Sequence, residues 1–243
     1  MPELGTGKGS SEELHAEVNG EEVAARIHRA DSSRWLIMLH GFGADKGGSM
    51  AERAARAAEE GWNAVRLDFR GNGESGGDFI DQNLSSRVED VKTVIEAAGI
   101  RSYTVFGVSF GGKVAFQLAA EDSDCEAVIG KSPVTFNRTM EPLRNATEKK
   151  GEFEFIDGKP IDRRFFEDLD SYSFEETAGK IDVPVLIFHG GSDSTVKLED
   201  SLDAAKLLNV DLTLEKLEGV RHSFSDDAER KMRDSMFDWL ERT

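Results

Sequence analysis

Residues 103–112 read Tyr-Thr-Val-Phe-Gly-Val-Ser-Phe-Gly-Gly. The run from Tyr103 to Val108 is uncharged and rich in β-branched and aromatic residues, as expected of a strand buried on both faces. Gly111 to Glu121 is long enough for a helix, and the small residues around Ser109 allow a tight strand-to-helix turn that exposes the hydroxyl. Short apolar runs recur outward from this junction: WLIMLH (35–40), NAVRLDF (63–69), EAVIG (126–130), PVLIFH (184–189) and LTLEKL (212–217). Helix-length stretches lie between them at 50–60, 84–98, 198–208 and 226–240, with Gly61 and Gly99 where a helix would end in a left-handed residue. This alternation predicts an α/β fold with a mostly parallel sheet flanked by helices.

Two segments depart from that rhythm. Between Leu14 and His28 two short runs flank Asn19-Gly20, a hairpin dipeptide, so an antiparallel edge pair is expected. Residues 133–182 separate two late strands by more than an ordinary crossover, and they predict a small inserted cap. The cap carries a second hairpin signal at Asp157-Gly158 and is rich in aromatics. Residues 1–11, rich in Gly and Ser without periodicity, are expected to be a flexible tail, leaving 12–243 as one domain.

The 47 acidic and 30 basic residues give a net charge of -17, which disfavours nucleic acid and anionic membranes as partners. The acids are spread along the chain, and solubility and adaptation to high salt both remain open as explanations. The single cysteine, Cys125, allows no intramolecular disulfide and points to a reducing, cytoplasmic setting. The N-terminus lacks the apolar stretch of a signal peptide, and no apolar run approaches the roughly 18 residues that span a bilayer. No His, Asp and Glu spacing suggests a metal site, and no cofactor is expected. Gly71-x-Gly73-x-x-Gly76 matches a dinucleotide fingerprint, but Glu74 would lie beside a pyrophosphate and no helix opens at Phe79 to Gln82.

The chemistry is expected at the strand ends. Ser109 is the candidate nucleophile, beside the unpaired N–H groups of the helix that follows. His40-Gly41-Phe42-Gly43 closes an earlier strand. The backbone N–H groups of Phe42 and Phe110 are the candidate oxyanion donors, with His40 as a loop-holding histidine. Asp193, in His189-Gly190-Gly191-Ser192-Asp193, is the candidate acid. His222, between the last strand and last helix, is the base left once the histidines in the hairpin (His15, His28) and at strand ends (His40, His189) are set aside. The order Ser109, Asp193, His222 fits a hydrolytic triad.

These motifs, with Asp68-Phe69-Arg70-Gly71-Asn72-Gly73-Glu74-Ser75, resemble the α/β-hydrolase superfamily over nearly the whole chain after residue 12. The chain is most similar there to small carboxylesterases of the feruloyl-esterase and monoacylglycerol-lipase type. The resemblance implies a serine hydrolase that cleaves a small-molecule carboxylic ester through an acyl-enzyme. It also implies a structural role for residues 68–75 and a cap that sets the substrate. Phe136, Phe165, Phe166 and Tyr172 are the expected substrate-binding residues, laid over Ser109. A peptidase or thioesterase with the same triad, or a non-catalytic binding protein on this scaffold, remain alternatives. Oligomeric state is not indicated.

Overall fold

The computed structural model describes residues 11–156 and 158–243. Eight strands form one sheet: β1 (Ser11–Val18), β2 (Glu21–His28), β3 (Trp35–Leu39), β4 (Asn63–Leu67), β5 (Tyr103–Val108), β6 (Cys125–Lys131), β9 (Val185–Gly190) and β10 (Leu212–Leu217). They lie in the order β1-β2-β4-β3-β5-β6-β9-β10. From β4 to β10 every pairing is parallel, and β2 joins β4 antiparallel. β1 and β2 form the expected hairpin, with Asn19 and Gly20 at φ of 55° and 83°. The expected tail falls on residues 1–10, outside the described residues, but its boundary at 11 is too late: Ser11 pairs with His28 inside β1.

The apolar runs are continuous because successive residues feed two different cores. Ile37 and Leu39 of β3 join the core under α2 (Leu84–Ala97) and α3 (Phe110–Glu121), while Leu36 and Met38 join the core under α1 (Gly48–Glu59) and α8 (Asp226–Leu240). LTLEKL does not follow this rule. β10 is the sheet's outer strand and is half-buried along most of its length, which is why it tolerates Glu215 and Lys216.

The cap lies between β6 and β9, as expected. It comprises a 3-10 turn at Asn137–Met140, α4 (Glu141–Lys150), the antiparallel pair β7 (Glu152–Ile156) and β8 (Lys159–Asp162), α5 (Arg163–Leu169) and α6 (Phe174–Ala178). Asp157 of the expected turn lies outside the described residues. The cap is not a separate satellite: Ile161, Phe165, Phe166, Leu169 and Phe174 belong to the same apolar cluster as α2, α3 and one face of the sheet. Polar ties fasten its base. The Asp168 carboxylate accepts from the N–H groups of Leu84 and Ser85 at 2.9 and 3.1 Å, supplementing the Asn83 cap of α2. Arg138 reaches Asp200 and Asp203 of α7 (Leu198–Leu207), each at 2.7 Å. Among the described residues, no helix is long and apolar enough to cross a membrane.

Candidate active site

Ser109 occupies the turn between β5 and α3 at φ 54°, ψ -118°, a region that side chains other than glycine rarely adopt. Close packing forces the turn. A Cβ at Gly107 would lie 2.3 Å from the carbonyl oxygen of Gly111, and one at Gly111 would lie 2.5 Å from those of Leu39 and His40. The strained turn is held from outside: Ser109 N–H donates to Lys131 O at 3.0 Å, and Val134 N–H to Ser109 O at 2.9 Å. Ser109 therefore stands half-exposed at the C-terminal edge of the sheet, at the N-terminus of α3.

The loop after β3 passes close by, since a Cβ at Gly41 would lie 3.3 Å from Ser109 Cβ. His40 Nδ1–H donates to Gly41 O at 2.8 Å, and His40 Nε2 accepts from Phe69 N–H at 3.3 Å, which fixes the tautomer. Burial, reinforced by the Arg87 charge, lowers the His40 pKa from 6.5 to about 3, so this histidine is neutral and holds the loop. Neither Phe42 N–H nor Phe110 N–H has a hydrogen-bond acceptor among the described residues, and both are free for a ligand oxygen.

Asp193 lies in the loop after β9 with its side chain fully buried. Its Oδ1 accepts from the N–H groups of Thr195 and Val196 at 2.9 and 3.0 Å, and its Oδ2 from His222 Nδ1 at 2.7 Å. Burial pushes this carboxyl up, but the His222 bond and charge and the two amides outweigh it and hold the pKa below the usual carboxylate range. His222 Nδ1 is thereby occupied, leaving Nε2 to exchange a proton. Among the described residues no hydrogen bond of 3.5 Å or less joins Ser109 to His222. His189 is structural: its Nε2–H donates to Val196 O at 2.9 Å, and its Nδ1 bonds the Ser201 hydroxyl at 2.7 Å.

Sequence reasoning missed the fastening of the His222 loop. Lys131, the last residue of β6, bonds Glu229 in the first turn of α8 and stands 4.2 Å from the Phe224 ring centroid. Arg53 of α1 grips the same Glu229 with two bonds, at 2.7 and 3.2 Å. The start of α8, just after the loop, is thereby tied to the sheet through Lys131 and to α1 through Arg53. Only the three-dimensional fold brings positions 53, 131 and 229 together.

The four expected substrate-binding residues are dispersed. Phe165 packs against Phe42 and Phe110 at centroid distances of 5.2 and 5.5 Å. Phe166 stands behind Phe165 and beneath Arg144. Phe136 packs on Phe174 and under Arg138. Tyr172 turns its hydroxyl to Ser85 Oγ at 2.6 Å, at the rim of a shallow surface hollow beside α2. Phe155, a cap aromatic outside the four expected to bind substrate, reaches Phe42 at 5.1 Å. Residues 68–75 are structural. The buried Asp68 carboxylate accepts from Lys46 N–H at 2.6 Å and Glu74 N–H at 2.8 Å and bonds the Lys46 ammonium. Ser75 Oγ donates to Asp68 O and accepts from Ala24 N–H.

This sheet order, with a strained serine turn and strand-end loops bearing an acid and a histidine, is that of an α/β hydrolase. Residues 30–152, about half of the chain, match the family described as serine aminopeptidase, S33, and the chain belongs to it. Among curated proteins it is 28% identical over 95 residues to RutD of Klebsiella pneumoniae (strain 342), a carbamate hydrolase by its name, a match covering 39% of this chain and 35% of RutD. It is 30% identical over 109 residues to the quorum-quenching protein AidA of Acinetobacter baumannii (strain MDR-ZJ06), covering 41% of this chain and 35% of AidA. The matches thus span about a third of each relative's length. Among solved structures, Est1E of Butyrivibrio proteoclasticus with bound ferulic acid superposes with a TM-score of 0.84. It is 20% identical, with 94% of this chain and 98% of that one covered, and shares the fold.

Proposed function

We propose that this α/β hydrolase is a serine hydrolase of small-molecule carboxylic esters, working through an acyl-enzyme on Ser109. The observation that carries the reading is the 2.7 Å bond between His222 Nδ1 and a fully buried Asp193 carboxylate, in a loop two strands from the Ser109 turn. Asp193 orients His222 and offsets the charge of the imidazolium. His222 Nε2 takes the Ser109 proton as Oγ attacks the acyl carbonyl, and the N–H groups of Phe42 and Phe110 hold the resulting oxyanion. The tetrahedral intermediate collapses, breaking the bond to the alcohol oxygen, which receives the proton from His222. Water then repeats the sequence on the acyl-enzyme, releasing the acid and restoring Ser109.

Residues 11–243 act as one unit in this reading, with the cap as wall of the acyl site, in a cytoplasmic protein without cofactor or nucleic-acid partner. The aromatic wall around Phe42 and the fold shared with Est1E support an ester with an apolar or aryl acyl group. The test is a panel of p-nitrophenyl esters, anilides, thioesters and carbamates, with fluorophosphonate labelling followed by peptide mapping. Ester turnover with the label on Ser109 is expected. Preferential anilide or carbamate cleavage would move the assignment to amides or carbamates, and absence of labelling would remove the nucleophile.

A further inference from the structure

Arg87 of α2 is fully buried in an unusual way. Its guanidinium carbon lies 4.5, 5.2 and 5.3 Å from the ring centroids of Phe69, Phe42 and Phe110. All its hydrogen bonds go to one neutral atom, Gln82 Oε1, which accepts from Nε at 2.8 Å and also from Nη2. Nη1 has no partner among the described residues. Among the described residues no carboxylate lies within ion-pair distance of the guanidinium. Asp90, one turn along the helix, is taken by the Arg70 guanidinium and amide at 2.6 and 2.9 Å. In a chain with 47 acidic residues, the partner given to this buried cation is an amide.

We propose that Arg87 is a positioning residue for the oxyanion site, holding the Phe42 and Phe110 rings while its unneutralised charge favours negative charge at their backbone N–H groups. The inference rests on the assignment of those two groups as oxyanion donors. The charge is present at neutral pH, because burial lowers the Arg87 pKa from 12.5 only to about 9. A buried charge among aromatic rings is screened little, so its field reaches the adjacent turn. A neutral ester gains little from that field, whereas the tetrahedral intermediate gains its full effect. A guanidinium kept only for packing would be better served by a carboxylate at residue 82.

Gln82→Glu therefore separates the two roles: it is isosteric and supplies the missing ion pair. The melting temperature should hold or rise while kcat for a p-nitrophenyl ester falls roughly tenfold or more at unchanged KM. Affinity for a trifluoromethyl ketone, which adds Ser109 to form a hemiketal oxyanion, should weaken by a similar factor. Wild-type kcat and ketone affinity in folded Gln82→Glu would overturn the proposal. Should Gln82→Glu fail to fold, Arg87→Lys and Arg87→Met decide: the charge role requires Lys to recover part of the kcat lost with Met, and equal losses overturn it. A wild-type protein that neither labels at Ser109 nor binds the ketone would instead refute the underlying site assignment.

Discussion

On the β9 and β10 side of the site, the charges that hold the Asp193 and His222 loops are paired. Asp193 answers His222 and two amides, and Glu229 answers both Lys131 and Arg53. On the β3 and α3 side the structure is made of rings. Phe42 is surrounded edge-on by Phe79, Phe110, Phe155 and Phe165 at 5.1 to 5.4 Å, with Arg87 behind it. One half is set by directional bonds between few atoms, where a change of a single atom matters. The other is set by packing, where volume and charge matter more than any one contact. The halves should therefore fail differently: the bonded half in rate, the packed half in stability and selectivity.

The largest effects break the bonded half. Ser109→Ala and His222→Ala should each lower kcat by about 10⁴- to 10⁶-fold with the fold intact, since such groups act as a unit. Asp193→Asn should cost about 10⁴-fold by offering His222 the wrong tautomer. Asp200 is the informative control, because it bonds the cap through Arg138 and Thr139 and makes no hydrogen bond to His222. Asp200→Asn should leave kcat within about tenfold of wild type. Steady-state kinetics with melting curves checks all four, and a mild Asp193→Asn beside a severe Asp200→Asn would mean that the wrong acid is named.

The packed half should fail in stability. Phe165 is 1% exposed and belongs to both the cap and the main core, so Phe165→Ala should lower unfolding free energy by about 3 to 5 kcal/mol. It should also flatten the preference between acetyl and aryl esters while reactivity toward a small fluorophosphonate persists. Denaturant unfolding and an ester panel give both readings. A stable variant with unchanged selectivity would make the cap rings irrelevant to the site.

The same contrast explains what could be read from the sequence. Ser109, Asp193 and His222 sit in short motifs at the ends of apolar runs, so the turn or loop that carries each is encoded by its neighbours, as is the loop role of His40. The ring cluster draws Phe42, Phe79, Phe110, Phe155 and Phe165 from five separate segments, and no local pattern states that they meet. Arg87 reads as one more charged residue in a helix, and its burial follows only from the docking of α2 against the β3 loop and the cap. Composition pointed to aromatic residues in the cap. It could not distinguish Phe165 and Phe155, which reach Phe42, from Tyr172, which reaches Ser85.

A smaller effect lies under the ring side. The unfolded chain protonates His40 near 6.5, whereas the native protein resists until about 3. The unfolded state then binds the extra proton, so this contribution is intact above about pH 6.5 and is lost as pH falls toward 3. The loss between pH 6 and pH 4 should be about 2.5 kcal/mol for this fully buried group. Urea unfolding of wild type and His40→Asn at the two pH values isolates it, as the variant should lose the corresponding part of the slope. Equal slopes would mean that His40 accepts a proton in the native loop.

The smallest effect concerns Tyr172, where the outer edge of the packed half meets solvent. Its hydroxyl is 2.6 Å from Ser85 Oγ, which also donates to Asp168, while Asp168 separately accepts two amides of α2. Removing the hydroxyl leaves the helix capped by Asp168 and Asn83, and Ser85 keeps an acceptor. Tyr172→Phe should thus cost no more than about 1 kcal/mol. Because this ring is tied to the outer surface of α2 while Phe165 and Phe155 close on Phe42, the substitution should leave kcat, KM and the order of ester preference unchanged. The paired measurement is the ester panel on Tyr172→Phe beside Phe165→Ala. If Tyr172→Phe shifted the preference as strongly as Phe165→Ala, the hydroxyl would have to leave Ser85 in the liganded enzyme, and the acyl site would extend beyond the Phe42 cluster to the rim of the cap.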